Sequence, residues 1–229
     1  MNSPSQHPPA RLRERLREET GRAILSAAED VFASDGLGAR MEAIAIHAGV
    51  AVGTLYNHFE DRKALVAALV RSRREALLSR VDAALAAARG EPAPAQLRAY
   101  LAAVEEHARA HGPLLAVLLQ AGEGPGEARP PKTLLADLAR RVDAVVARGI
   151  DAGELRPDGA KVFGLALVGM TRAILVRALE GGAEPGEATD AILDLFLRGA
   201  AARGAPPSPP SRPPPPRALP RTSGSSRSR

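Results

Sequence analysis

The chain has no cysteine and no tryptophan among its 229 residues, and only 3% of it is aromatic. Without thiols there can be no disulfide, no thiol catalysis and no thiolate metal site. No uninterrupted apolar run reaches the ~18 residues of a membrane span. The N-terminal MNSPSQHPPARLRERLREE lacks the apolar core of a signal peptide, so a cytoplasmic protein with no membrane partner is expected. A glycine-rich phosphate loop, a nucleophile elbow and zincin spacing are likewise missing, and the few Ser and Thr show no activating base. Neither enzymatic activity nor a cofactor is expected.

What is present is enough apolar residue, 45%, to bury a core of one small and one larger domain. The formal charge of +5 looks like a nucleic-acid signal. It is not one, because residues 201–229 hold six arginines and no acid, leaving 25 basic against 26 acidic groups elsewhere. Any case for nucleic acid must come from local pattern.

That pattern is Met41 to Phe59, MEAIAIHAGVAVGTLYNHF, which reads as two short helices and a tight turn. Ile44 and Ala45 precede Ala48 by a helical turn, and Val50, Leu55 and Phe59 form a second stripe after Gly49. Gly49 is the corner, since a sharp turn after a helix usually needs a positive φ. Ala51, Val52, Thr54, Tyr56 and His58 point away from the Leu55/Phe59 stripe and are groove-facing candidates.

Arg22 to Leu69 resembles the DNA-binding domain of the TetR-type (TetR/AcrR) helix-turn-helix regulators. The likeness is specific at Gly49, Thr54, Leu55, Tyr56, His58 and Phe59 and covers about a fifth of the chain. It implies that the first helix supports the pair, that the third reads the major groove, and that a fourth leads into a ligand-binding dimerisation domain. Tyr56 and His58 would then sit on phosphates with help from Arg62, while Val52, Gly53 and Thr54 face base edges. Arg40, Ala51, Asn57 and Lys63 complete the expected DNA-binding set. Three positions depart from the family's pattern: Arg40 opens the second helix in place of Ser or Thr, and Ala51 and Val52 open the third in place of Ser and a Lys or Gln. A lost hydroxyl cap costs about 1 kcal/mol and removes a phosphate donor. Reading by Val52 would be apolar, as against a thymine methyl.

Around the pair, Ile24, Ala27, Ala28, Val31 and Phe32 predict a first helix ending near Gly36. Residues 1–19 form a basic arm, read either as a phosphate-tracking or minor-groove segment or as a frayed extension of that helix. Asp61 is the expected N-cap of a connecting helix running to about Arg89, with Arg62 and Lys63 in its first turn. Helices are then predicted from Ala95 to Ala110, Pro113 to about Ala121, Leu135 to about Gly153 and Asp158 to about Glu180, with a last one over 188–199. Gly122 to Pro131 is expected to be a loop, and the proline-rich tail from Gly204 disordered.

The Asp158 helix carries two apolar stripes, one through Phe163, Leu167, Met170 and Ile174, the other through Leu165, Gly169, Ala173 and Val176. That is more apolar surface than one small domain can cover, so pairing of the last two helices with a second copy is expected. His107 and His111 share a helix face beside Glu105 and Glu106, but no third ligand is identifiable, so solvated histidines rather than a metal site are expected. A mainly apolar ligand cavity has Tyr100, His107, Leu115, Leu119, Phe163, Met170 and Arg172 as candidate lining. The scarcity of rings leans its occupant toward aliphatic or acyl compounds.

The sequence therefore predicts an all-α chain. Its parts are a flexible arm (1–19), a three-helix DNA-binding domain with a helix-turn-helix (20–68), a helical ligand-binding and dimerisation domain (69–202), and a disordered tail (203–229). The expected function is a homodimeric repressor, released from a pseudo-palindromic double-stranded operator by a small-molecule effector. A second reading, motivated by the missing caps and neutral head, is a helical carrier or docking module that no longer reads DNA.

Overall fold

A computed structural model of the chain describes residues 10–120, 134–179 and 187–200, and among these every regular element is helical. The elements are α1 (Ala10–Asp35), α2 (Met41–His47), α3 (Val52–His58), α4 (Arg62–Ala87), α5 (Ala93–Gln120), α6 (Leu134–Asp151), α7 (Ala160–Leu179) and α8 (Glu187–Ala200), with a 3-10 turn at Pro157–Gly159 before α7. The 122–131 loop, the tail and residues 1–9 lie outside the described residues.

Two cores form. The first joins Ile24, Ala28, Val31 and Phe32 of α1 to Ile44 and Ala45 of α2, Leu55 of α3, and Leu65 and Leu69 of α4, all but Val31 almost fully buried. The second joins Leu77 and Val81 of α4 to Leu97, Tyr100, Leu101 and Val104 of α5, the Leu138–Val146 stripe of α6, Phe163, Leu167 and Val168 of α7, and Phe196 and Ala200 of α8. Each large side chain so buried stabilises by roughly 1.5–3 kcal/mol, so two separate apolar clusters hold the ends of α4.

Corners follow the sequence. Gly49 has φ 69°, and the Gly49 and Val50 amides donate to the Ile46 and Ala45 carbonyls, closing the turn. Asp61 caps α4, its Oδ1 accepting from the Ala64 amide at 2.6 Å. Gly153 ends α6 at φ 74°, and the Glu154 and Leu155 amides both donate to the Gly149 carbonyl.

Three expectations are corrected. Of the two readings of residues 1–19, the flexible arm fails for Ala10 to Glu19, which are the first turns of α1. Arginine, leucine and glutamate are good helix formers, and the stretch has no proline after Pro9 to stop them. The two helices predicted either side of Pro113 are one helix, α5, unbroken to Gln120. A proline there removes one backbone donor, yet the rod spans both cores, with Tyr100 and Leu101 in the second and Leu114 in the first. Finally, His107 is not solvated but buried, 8% exposed.

Candidate DNA-reading face and the helical core behind it

The reading face begins with why α3 sits as it does. Leu55 is fully buried in the first core and pins the helix by a single side chain, with Val52 and Phe59 packed at its two ends. Turned away from Leu55 are Ala51, Gly53, Tyr56 and Asn57, all exposed, with Val52, Thr54 and His58 half-buried at the edges. The helix holds no acid, and Tyr56 is 44% exposed. Neither Arg40 nor Ala51 makes a side-chain cap bond, as their identities require. Arg40, Arg62 and Lys63 are all exposed, so the structure brings every member of the expected DNA-binding set to the surface or its edge.

His58 has a neighbour that sequence reasoning missed. A Cβ built on Gly21 of α1 would lie 3.4 Å from His58 Nδ1, so the imidazole rests at contact distance from the α1 backbone. The signal was available: glycine inside a helix costs about 1 kcal/mol against alanine, and an uncompensated one asks for a packing reason. His47, at the end of α2, faces Asp30 of α1 at 3.4 Å, with both groups more than half exposed. Such a pair contributes little.

Behind the face, Glu29 of α1 joins three helices. Its carboxylate lies 2.8 Å from Arg73 Nε of α4 and 2.6 Å from His111 Nδ1 of α5. The His107 ring stands 4.5 Å from that of His111. Burial, then the positive fields of His111, Arg80 and Arg73, push the His107 imidazole down to about 4, so it is neutral at neutral pH. No group of three metal-ligating side chains occurs among the described residues.

Of the expected cavity residues, Tyr100, His107 and Phe163 are in the core and Met170 packs against it, but Arg172 is on the exposed face of α7. The side chains of Leu115 and Leu119 lie outside the described residues. The Tyr100 Oη is buried without an aligned hydrogen bond. Burial raises the phenol to about 12, partly offset by the neighbouring Thr171 hydroxyl, which itself donates to the Leu167 carbonyl. Phe163 meets Phe196 edge-on at 5.6 Å, with the Arg156 guanidinium 5.6 Å from its centroid, which ties it to α8 rather than to Tyr100. A separate apolar groove of about 450 Å³ opens between α5 and α8, lined by Pro94, Ala95, Ala99, Leu193 and Leu197, with Arg98 on its wall. None of the expected cavity residues lines it.

Among the described residues no helix is long and apolar enough to cross a membrane. No curated protein matches the chain in sequence. Solved structures match it in fold. A protein of unknown function from Rhodococcus sp. RHA1 is 27% identical, with 87% of this chain and all of that one covered and a TM-score of 0.64. A TetR-like transcriptional regulator from the same source is 24% identical over 85% and 98%, with a TM-score of 0.57. The regulator FadR from Bacillus subtilis, solved in complex with stearoyl-CoA, is 18% identical over 78% and 98%, with a TM-score of 0.64. Residues 24–69, the first core and its reading helix, match the family described as bacterial regulatory proteins of the tetR family. Residues 24–69 therefore form a helix-turn-helix domain of the kind found in the bacterial regulatory proteins of the tetR family, and the helices around it have the fold of these solved structures.

Proposed function

We propose that the chain is a homodimeric repressor that holds a pseudo-palindromic operator with one α3 per half-site and releases it when a small molecule binds the helical core. The observation that carries this is the outward side of α3, free of acid and anchored from behind by a single buried leucine. Val52, Gly53 and Thr54 meet base edges, Tyr56 and His58 meet phosphates, and Arg40, Asn57, Arg62 and Lys63 flank them. The same feature weighs against a carrier that has lost DNA reading, because such a protein has no use for an exposed tyrosine beside two exposed cations.

The domain limits of 20–68 and 69–202 are proposed on the two cores, which meet along α4 and α5. Dimerisation is proposed through α7 and α8, where Val162, Leu165 and Leu195 are 58%, 68% and 65% exposed. The effector is proposed to lodge near Tyr100 and His107, where the unpartnered Tyr100 Oη would orient it, and to be aliphatic or acyl. The stearoyl-CoA in FadR is a precedent for that class, from a neighbour that shares the fold alone. Such a ligand lowers operator affinity only by its preference for the released conformation.

The test is binding to a duplex selected from a random library with the wild-type protein. Thr54→Ala is expected to lose discrimination against single-base variants by about tenfold, in the ~1–3 kcal/mol range of a base contact. Tyr56→Ala is expected to weaken selected and unselected duplexes alike. Unchanged binding in both variants would overturn the assignment of α3.

A further inference from the structure

The first turns of α1 leave the molecule with their charges sorted. Every residue from Arg11 to Glu19 is exposed, so this part of the helix stands clear of both cores. A helix repeats its facing every seven residues to within about 20°. Arg17, Ile24 and Val31 follow one another at that spacing, and so do Arg13, Thr20 and Ala27. Ile24, Ala27 and Val31 are buried against the helix pair, so the stripe that packs on the reading head continues outward as Thr20, Arg17 and Arg13.

The other charges turn elsewhere. At 100° per residue, Glu14 lies roughly 70° from the centre of that stripe, and Glu18, Glu19, Arg11, Arg15 and Arg22 lie roughly 110° or more from it. Arg22 is paired with Glu18 at 3.4 Å on that outer side, whereas no ion pair among the described residues holds Arg13 or Arg17. Gly21 lies between the two regions, in contact with His58 at the end of α3. The two arginines thus project past the end of the reading helix on the side that α3 occupies.

We infer that Arg13 and Arg17 form a second phosphate-binding face, which follows the DNA backbone beyond the half-site that α3 reads. The inference rests on the proposed DNA-reading role of α3 and extends it with a partner surface of its own. Guanidinium groups held on one side of a helix suit a row of phosphates, and they carry no base information. They would supply to the complex the cationic charge that α3, with Ala51 and Val52 at its start, does not.

The experiment compares wild type, Arg13→Ala with Arg17→Ala, Arg11→Ala with Arg15→Ala, and Arg13→Lys with Arg17→Lys. Each is titrated, as the full chain, against the library-selected duplex and against a mixed-sequence duplex across a range of KCl concentrations. Each phosphate contact adds about 0.9 to the slope of log affinity against log salt, so removing Arg13 and Arg17 should lower the slope by about 1.8 per protomer. Affinity should fall equally for the two duplexes, leaving discrimination intact. The Arg11 and Arg15 variant, equal in charge removed, should keep the wild-type slope, and the lysine variant should restore most of it. An unaltered slope without Arg13 and Arg17, or the same drop without Arg11 and Arg15, overturns the inference while the role of α3 stands. If wild type selects no duplex, the reading role itself fails and the second face fails with it.

Discussion

The two cores of this molecule differ in how they finish. The first is closed: Leu55, Leu65, Leu69, Phe32 and Ile44 are fully buried within one chain, and its one large exposed apolar side chain on the helix pair, apart from Tyr56, is Ile46. The second is open on one side, with Val162, Leu165 and Leu195 standing out of α7 and α8 although Leu167, Val168 and Phe196 beside them are buried. An element that exposes one face to solvent and buries the other is ordinary. An element apolar on both faces needs a second partner, which the proposed dimer supplies as another copy of the same two helices. The head completes itself and the body does not, a difference that supports the proposed dimer with its two reading heads.

The largest effect should come from breaking that difference. Leu165→Arg combined with Leu195→Arg puts four charges into a two-fold interface and is expected to raise the dimer dissociation constant at least a thousandfold, about 4 kcal/mol. Light scattering coupled to size exclusion should show a monomer whose helical content is unchanged, because both side chains are more than half exposed within the chain. A dimer that survives both substitutions would mean that another surface joins the copies.

A smaller effect separates the cores by pH. The His107 imidazole lies among α5 residues of the second core and is held near 4 when folded, against an ordinary value of 6.5. Between those values the unfolded chain takes up a proton that the folded one refuses. Stability is therefore complete above about pH 6.5 and declines as pH falls toward 4, by up to roughly 3 kcal/mol for this group. His107→Gln should flatten the acid limb of a denaturant-stability series between pH 7 and pH 4. An identical acid limb in the variant would show that other groups govern it.

The cores also differ in how far the sequence reveals them. Gly49, Leu55 and Asp61 act over one or two helical turns, so a corner, an anchor and a cap can be read from spacing alone, and the structure has all three in place. Features set by distant chain are silent in the sequence. Nothing near Pro113 says that α5 continues, because what holds it is Leu114 reaching the head's core, about eighty to ninety residues away from Phe32 and Ile24 in the chain. The Glu29 carboxylate between Arg73 and His111, and the Asp82 carboxylate held by Nε and Nη2 of Arg141, each at 2.6 Å, are pairings that no local pattern records. The burial of His107 has the same origin: its i, i+4 partner is visible in the sequence, but the α4 arginines around it are not.

The smallest effect tests the closed core at its most legible point. Asp61 is exposed and receives the Ala64 amide at the start of α4, where three further donors of the first turn go without helical partners. Asp61→Ala should cost about 1 kcal/mol, and Asp61→Asn, which keeps the accepting oxygen, only a few tenths. Because Arg62 and Lys63 follow at once and oppose the positive end of the helix dipole, the aspartate's charge should add to its hydrogen bond, and the gap between Asn and Asp should shrink in high salt. Hydrogen exchange can locate the loss. Faster exchange confined to Ala64 and its neighbours in the first turn, with the amides around Leu97 and Val145 unchanged, would mark a head that loosens independently of the body. Equal acceleration in both would show that α4 transmits the loss of its cap along its whole length, and that the two cores unfold as one unit.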